Sequence, residues 1–199
     1  MNYAIRNYVM LNIIDLRTLC QYAIIKNMKE WIPIPGSSKN TLVQVALQEF
    51  SAKGYKKTNI AELAAKAEMT TGAIYHHFGS KAGLFEVIRS EMEQRVLDRM
   101  EGAASLFEDA NEALEAALIT GLDFAAKSNS CRLIGEEPIS GKKNKIAAFL
   151  EGMNKNDNLP IEIAMLAVWR TLLLEIADRS LNVGQAKSII KWIFKRELA

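Results

Sequence analysis

The sequence predicts an all-α fold with a small three-helix unit in its N-terminal half and a larger helical bundle after it. Three observations predict this. Apolar residues recur at helical spacing through residues 40–127 and 161–198, with no convincing strand. Residues 58–85, TNIAELAAKAEMTTGAIYHHFGSKAGLF, read as two short helices joined by a tight turn and followed at once by a third. Residues 161–178 carry Glu162, Arg170, Glu175 and Asp178 as their charges and are apolar nearly everywhere else, as a helix buried on more than one side is.

Each element has a local reason. Residues 40–53 place Leu42, Val43, Val45, Ala46, Leu47 and Phe50 along a helix that Gly54 ends. Thr58 or Asn59 can cap a helix over 60–66, because a short side-chain oxygen accepts from the free amides of the first turn. Glu62, three residues after Asn59, makes a capping box possible. Ile60, Leu63, Ala64 and Ala67 give that helix one apolar stripe. Ala67, Glu68 and Met69 form the turn, with Met69 as an apolar plug. Thr70 is placed to cap the next helix, 71–77, which Ile74 and Phe78 anchor from positions four apart. Gly79 ends it, and Ser80 caps a long helix to about residue 100. Further helices are expected at 103–107, 111–127, 139–153, 161–180 and 183–198, with loop-like breaks at 129–141 and 154–160.

The helix over 71–77 carries the chemistry. A solvated helix face normally shows Lys and Glu. Here Thr70, Thr71, Gly72, Tyr75 and His76 are left pointing outward: hydroxyls, a glycine permitting close approach, and an aromatic with a polar tip. Such groups can lie in a DNA major groove and touch bases or phosphates. Lys81 adds a full charge at the start of the following helix, where free amides and the helix dipole already favour a phosphate. The adjacent His76 and His77 do not face one another on a helix, and no Cys or carboxylate joins them at ligand spacing, so no metal is expected there. His77 is expected to be partly buried in support of the motif.

This segment resembles the TetR family of bacterial transcriptional regulators over about residues 40–88. The resemblance is carried by Phe50, Gly54, Tyr55, Thr58, Ile60, Ala64, Gly72, Ile74, Tyr75, His77, Phe78, Ser80, Lys81 and Leu84, and above all by the string YHHFGSKAGLF. It implies that Thr58, Thr70, Thr71, Tyr75, His76 and Lys81 touch DNA. It also implies a domain plan: 39–88 as the helix-turn-helix DNA-binding domain, and 89–199 as an effector-binding and dimerisation domain. Residues 1–38 are then an extension or arm. Two positions depart from the family pattern. Glu68 stands where glycine is usual, and Thr71 stands where many members have a basic residue.

Composition agrees with this plan. The net charge is only +2, but residues 39–89 hold seven basic and four acidic groups, whereas 90–199 hold fourteen basic and seventeen acidic. The sign thus changes from +3 to −3 at the expected domain border. Lys53, Lys56 and Lys57 are candidate phosphate contacts. Cys20 and Cys131 fit no metal or redox spacing and are expected to be free thiols. No apolar run is long enough to span a bilayer and no small-residue cleavage pattern is evident, so a cytoplasmic protein without a membrane partner is expected. No nucleophile elbow, phosphate loop, metal spacing or supported carboxylate pair indicates an enzyme, and no cofactor is implied.

The expected partners are double-stranded DNA, a second copy of the chain, and an unspecified small-molecule effector. One recognition helix reads few base pairs, whereas a symmetric pair reads a palindrome with half-sites about one turn apart. Leu166, Trp169, Leu173, Ile190, Ile193 and Phe194 are the candidate dimer contacts. Phe85, Met92, Phe107, Leu118, Leu122, Phe124 and Trp169 are the candidate effector-pocket walls. The rival expectation is a helical protein-interaction adaptor of the same fold that has lost DNA binding. For residues 1–27 two expectations stand side by side: a translation start at Met28, with the earlier residues an annotation extension, or an extra helix over 11–29 packed on the domain.

Overall fold

The computed structural model of the chain describes residues 38–139, 144–154 and 159–195. The chain divides into two compact units, 1–41 and 42–199. The first contributes only the opening turn of a helix to the described residues. Both expectations for residues 1–27 lie outside the described residues, as do 140–143 and 196–198 of the helices expected at 139–153 and 183–198.

The described residues form nine helices: α1 Ser38–Lys57, α2 Ile60–Lys66, α3 Thr71–Phe78, α4 Lys81–Ala104, α5 Ala110–Lys127, α6 Cys131–Gly135, α7 Lys145–Met153, α8 Ile161–Ala177 and α9 Val183–Phe194. The fold is all-α. An N-terminal helix-turn-helix unit, α1–α3, is followed by a helical bundle, α5–α9, with α4 common to both. No described helix is long and apolar enough to cross a membrane.

The architecture turns on α4. Its buried residues are Leu84, Phe85, Ile88, Arg89, Met92, Glu93, Val96, Leu97 and Met100. They recur every four positions, so one face of the helix stays inside for its whole length of about 36 Å at 1.5 Å per residue. At the N-terminal end the Phe85 ring meets Phe50 edge-on at 5.1 Å and Tyr55 at 5.2 Å, which locks α1 to α4. At the other end Met100 meets α5. A Cβ on Gly121 would lie 2.8 Å from the Met100 Cγ and 3.2 Å from the Trp169 Cζ2, so only glycine admits this three-way crossing of α4, α5 and α8. The buried Trp169 satisfies its indole N–H by donating to the Leu118 carbonyl at 2.9 Å.

Several boundaries differ from expectation. Gly54 does not end α1 but breaks it, with φ 75° and ψ 175°, and the helix resumes to Lys57. That backbone region is essentially reserved for glycine. The helix expected at 103–107 is the last turn of α4 followed by a bend. The break expected over 129–141 contains α6, with Cys131, Leu133, Ile134 and Gly135 all buried. A five-residue helix carries too little periodicity to be read from sequence, and it is too short to hold without tertiary contacts. Burial pushes the Cys131 thiol up to about 11, so this side chain stays neutral and apolar near pH 7.

Caps set the small helices. Asn59 caps α2, its side chain accepting from the Ala61 amide at 2.7 Å. Thr70 caps α3 through the Ala73 amide at 3.1 Å, and Ser80 caps α4 through the Gly83 amide at 2.9 Å. The possible capping box at Asn59 is not used: the Glu62 carboxylate accepts instead from Lys53, at 3.1 Å. In the α2–α3 turn Glu68 adopts φ 54°, the left-handed region that disfavours a Cβ. The geometry that the family's glycine serves is therefore kept here with a glutamate. Glu68→Gly is expected to stabilise the protein by about 1 kcal/mol, read as a raised urea midpoint with unchanged slope. An unchanged or lowered midpoint would contradict strain at this turn.

Candidate nucleic-acid interface

The sequence places two apolar anchors on α3, and the structure buries one of them fully. Ile74 has no exposed surface, Phe78 is half-buried against the core, and Met69 plugs the preceding turn. With that side pinned, Thr70, Thr71, Gly72, Tyr75 and His76 are all exposed, Tyr75 at 47%. Thr71, Gly72, Tyr75 and His76 stand at i, i+1, i+4 and i+5, one strip of the helix surface. This is a flat polar face on a helix whose register is fixed from behind. His77, expected to be partly buried, is exposed too, its ring edge-on to His76 at 5.4 Å and to Phe78 at 6.3 Å.

Two expected contact residues have other placements. Thr58 is only 3% exposed. Its hydroxyl donates to the Gly54 carbonyl at 2.7 Å, with the Glu49 carbonyl at 3.4 Å. It ties the α1–α2 connection to the kink in α1 and is closed to any partner. That correction has a simple cause, since Gly54 leaves a carbonyl facing the interior and threonine is the near side chain that can satisfy it. Lys81 is half-buried at the start of α4, its ammonium 4.5 Å from the Tyr55 ring centroid and 3.5 Å from the Lys56 carbonyl. It sits at the rim of the α3 face rather than on it.

The basic residues separate in the same way. Lys53 is held by Glu49 at 2.9 Å and Glu62 at 3.1 Å, and Lys66 also pairs with Glu49. Lys66 first, and Lys53 second, hold the Glu49 carboxyl below the usual carboxylate range. Two lysines are thus spent inside the unit, whereas Lys56 and Lys57 are exposed at the end of α1. Of the three flanking lysines expected at phosphates, Lys53 is withdrawn and the other two are open.

Comparison with known proteins bears on the same segment. The family model for bacterial regulatory proteins of the tetR family matches residues 42–88. Residues 42–88 are thus a TetR-type N-terminal segment. It is 34% identical over 91 residues to the probable acrEF/envCD operon repressor of Escherichia coli K12, a match covering 45% of this chain and 41% of that protein. It is 33% identical over 92 residues to the HTH-type transcriptional repressor KstR2 of Mycolicibacterium smegmatis, covering 41% and 45%. The chain therefore spans under half the length of the curated relatives it matches. Among solved structures, a TetR-like transcriptional regulator from Rhodococcus sp. RHA1 superposes with a TM-score of 0.62 at 19% identity, covering 81% of this chain and 96% of that one. The regulator FadR from Bacillus subtilis in complex with stearoyl-CoA superposes with a TM-score of 0.62 at 15% identity, covering 78% and 97%. At these identities the likeness is one of fold.

The C-terminal sites of a TetR-type bundle are less well marked in the sequence. Trp169, Leu173 and Ile190, expected at a dimer contact, are all within 2% of full burial in the single chain. Leu166 and Phe194 pack partly against the core and Ile193 is half-buried. The helix is apolar on two sides, as expected, but the outward side is Ile163 (65% exposed), Ala164, Ala167, Val168 and Thr171. Sequence periodicity shows that two faces exist, not which one the chain itself covers. Of the expected pocket walls, Phe85, Met92, Leu118, Leu122 and Trp169 are core side chains and Phe124 is half-buried, with the Arg99 guanidinium 5.4 Å from its ring. Phe107 is 43% exposed in the α4–α5 connection. It lies outside the helical register that would have turned it inward.

Replacing Thr58 by valine keeps the shape and removes the hydroxyl. Thr58→Val is expected to destabilise the fold by about 1 kcal/mol, since it strands the buried Gly54 carbonyl. The salt dependence of DNA binding should not move. A change in salt slope without a loss of stability would return Thr58 to the interface.

Proposed function

We propose that the protein is a ligand-responsive transcriptional repressor that binds a palindromic operator as a homodimer, with α3 in the major groove. The observation that carries this is the exposed strip Thr71, Gly72, Tyr75 and His76 on a helix pinned from behind by Ile74. Hydroxyl and imidazole groups read base edges or phosphates, and Gly72 lets the backbone approach. Lys56, Lys57 and the amide-rich start of α4 beside Lys81 supply the phosphate contacts that fix register. Repression is what the names of both curated relatives describe.

Dimerisation follows from the uncovered apolar side of α8. Ile163, Ala164, Ala167 and Val168 form a strip in which small residues alternate with branched ones, and Trp192 of α9 is 56% exposed. Two copies meeting through these helices would bury that strip and set two α3 helices on one side of a two-fold axis. Response to an effector requires a molecule with different affinity for the DNA-bound and released states. In this chain such a molecule would have to part core side chains among Met92, Leu118, Leu122 and Phe124, so an apolar or mixed ligand fits best.

DNA selection from random duplexes at fixed salt tests the reading as a whole: a regulator enriches a palindrome, and an adaptor without DNA binding enriches nothing. On the selected site, Tyr75→Ala and Lys81→Ala should weaken binding with unchanged thermal midpoints, and Lys81→Ala should lower the salt slope by about one unit. Ile74→Ala should instead destabilise the fold by about 2–4 kcal/mol as a core truncation. Full affinity in both surface variants would remove α3 from the interface. Ile163→Asp should give monomers by sedimentation at micromolar concentration and at least tenfold weaker operator binding. A variant that remained dimeric would refute the assigned face.

A further inference from the structure

The shortest helix of the fold is held by an unusual set of contacts. The C-terminus of α6 presents three carbonyls that a five-residue helix cannot satisfy itself. Arg89 of α4, 1% exposed, donates to the Leu133 carbonyl and, at 3.1 Å, to the Ile134 carbonyl. Arg170 of α8 donates through its Nε to the Gly135 carbonyl at 3.0 Å and pairs with Glu137. Two cations thus meet the negative end of the α6 dipole. Burial, the largest influence, lowers the Arg89 pKa. A Cβ on Gly135 would sit 2.9 Å from Leu174, so α6 and α8 are in close contact there.

The next residue reaches the other way. The Glu136 carboxylate accepts from the Tyr55 amide at 3.0 Å. Its second oxygen occupies the space a side chain on Gly54 would need, lying 2.0 Å from where that Cβ would be. Gly54 is the kink in α1, and its carbonyl holds Thr58 at the entry to α2. One unbroken path therefore runs from α8, through Arg170 and the end of α6, to Glu136, the α1 kink and the helix-turn-helix.

We infer that Glu136 is a positioning residue for DNA reading: its carboxylate, seated on the Gly54–Tyr55 kink, sets the orientation of the helix-turn-helix relative to the bundle. The end of α6, held by Arg89 and Arg170, carries Glu136 to that place. Reach matters more than charge, because the acceptor is needed at one amide; Arg132, whose Cδ lies 3.3 Å from where a Gly54 Cβ would be, gives its guanidinium to Asp178. The consequence for operator binding rests on the function proposed above. The mechanical claim does not.

The test uses the full-length protein without DNA. Glu136→Ala, Glu136→Asp and Glu136→Gln are compared by hydrogen–deuterium exchange. A paramagnetic distance measurement between labels at Ala65→Cys and Glu101→Cys, with Cys20→Ser, is made in the same series. Alanine and the shorter aspartate should speed exchange at least tenfold across residues 54–63 and broaden the label distance. Exchange in α5 should stay unchanged, and glutamine should match the native protein within twofold. On a selected operator, alanine and aspartate should lose at least fivefold in affinity with no change in salt slope. Native-like exchange and distances in the alanine variant would overturn the proposal, as would equal acceleration throughout the bundle or failure of glutamine alone. If no operator can be selected, the DNA-binding function falls, while exchange and distance still decide the role of Glu136.

Discussion

Leu84, Phe85, Ile88, Met92, Val96 and Met100 lie along one buried line of a single helix, and the remainder of the molecule is arranged around that line. Its first half completes the core of the helix-turn-helix, with Phe85 gripped between Phe50 and Tyr55. Its second half is one wall of the bundle, meeting Gly121 and, through it, Trp169. Both cores are strung on the same helix, and the Glu136 carboxylate on the α1 kink adds a second tie between them. A close-packed interior does not deform continuously, so a disturbance at one end is either absorbed or passed along.

Stability and exposure are traded within the reading unit itself. α3 can present hydroxyl, glycine and aromatic side chains to solvent only because Ile74, Phe78 and Met69 supply its anchorage, with Thr70 capping its first turn. The turn before it holds Glu68 in a left-handed conformation, a local strain that the surrounding packing tolerates. Local conflicts of this kind concentrate where a surface is shaped for something other than stability.

Charge follows the same division of labour. Lys53 and Lys66 converge on Glu49 in a surface network of ion pairs, while Lys56 and Lys57 stay open. Arg89 is withdrawn furthest. It gives up hydration to hold two backbone carbonyls, which is why a cation sits in a largely apolar core.

The sequence by itself determined the local events: helix periods, the caps at Thr70 and Ser80, a helix interruption at Gly54, and the polar strip of α3. These depend on residues within four positions of one another, and short-range geometry leaves them little choice. It also determined that Glu68 sits at the turn position where glycine is usual. Tertiary structure alone decided which apolar face of α8 the chain covers, so Trp169 and Leu173 went inward and Ile163 outward. It decided that Thr58 serves a buried carbonyl, that Lys53 is spent on carboxylates, and that α6 is a helix at all. Those outcomes are set by partners tens of residues away: Glu136 lies 81 positions from Tyr55, and Arg89 lies 44 from Leu133. No periodicity records such distances, because the hydrogen bonds exist only once the helices have been brought together.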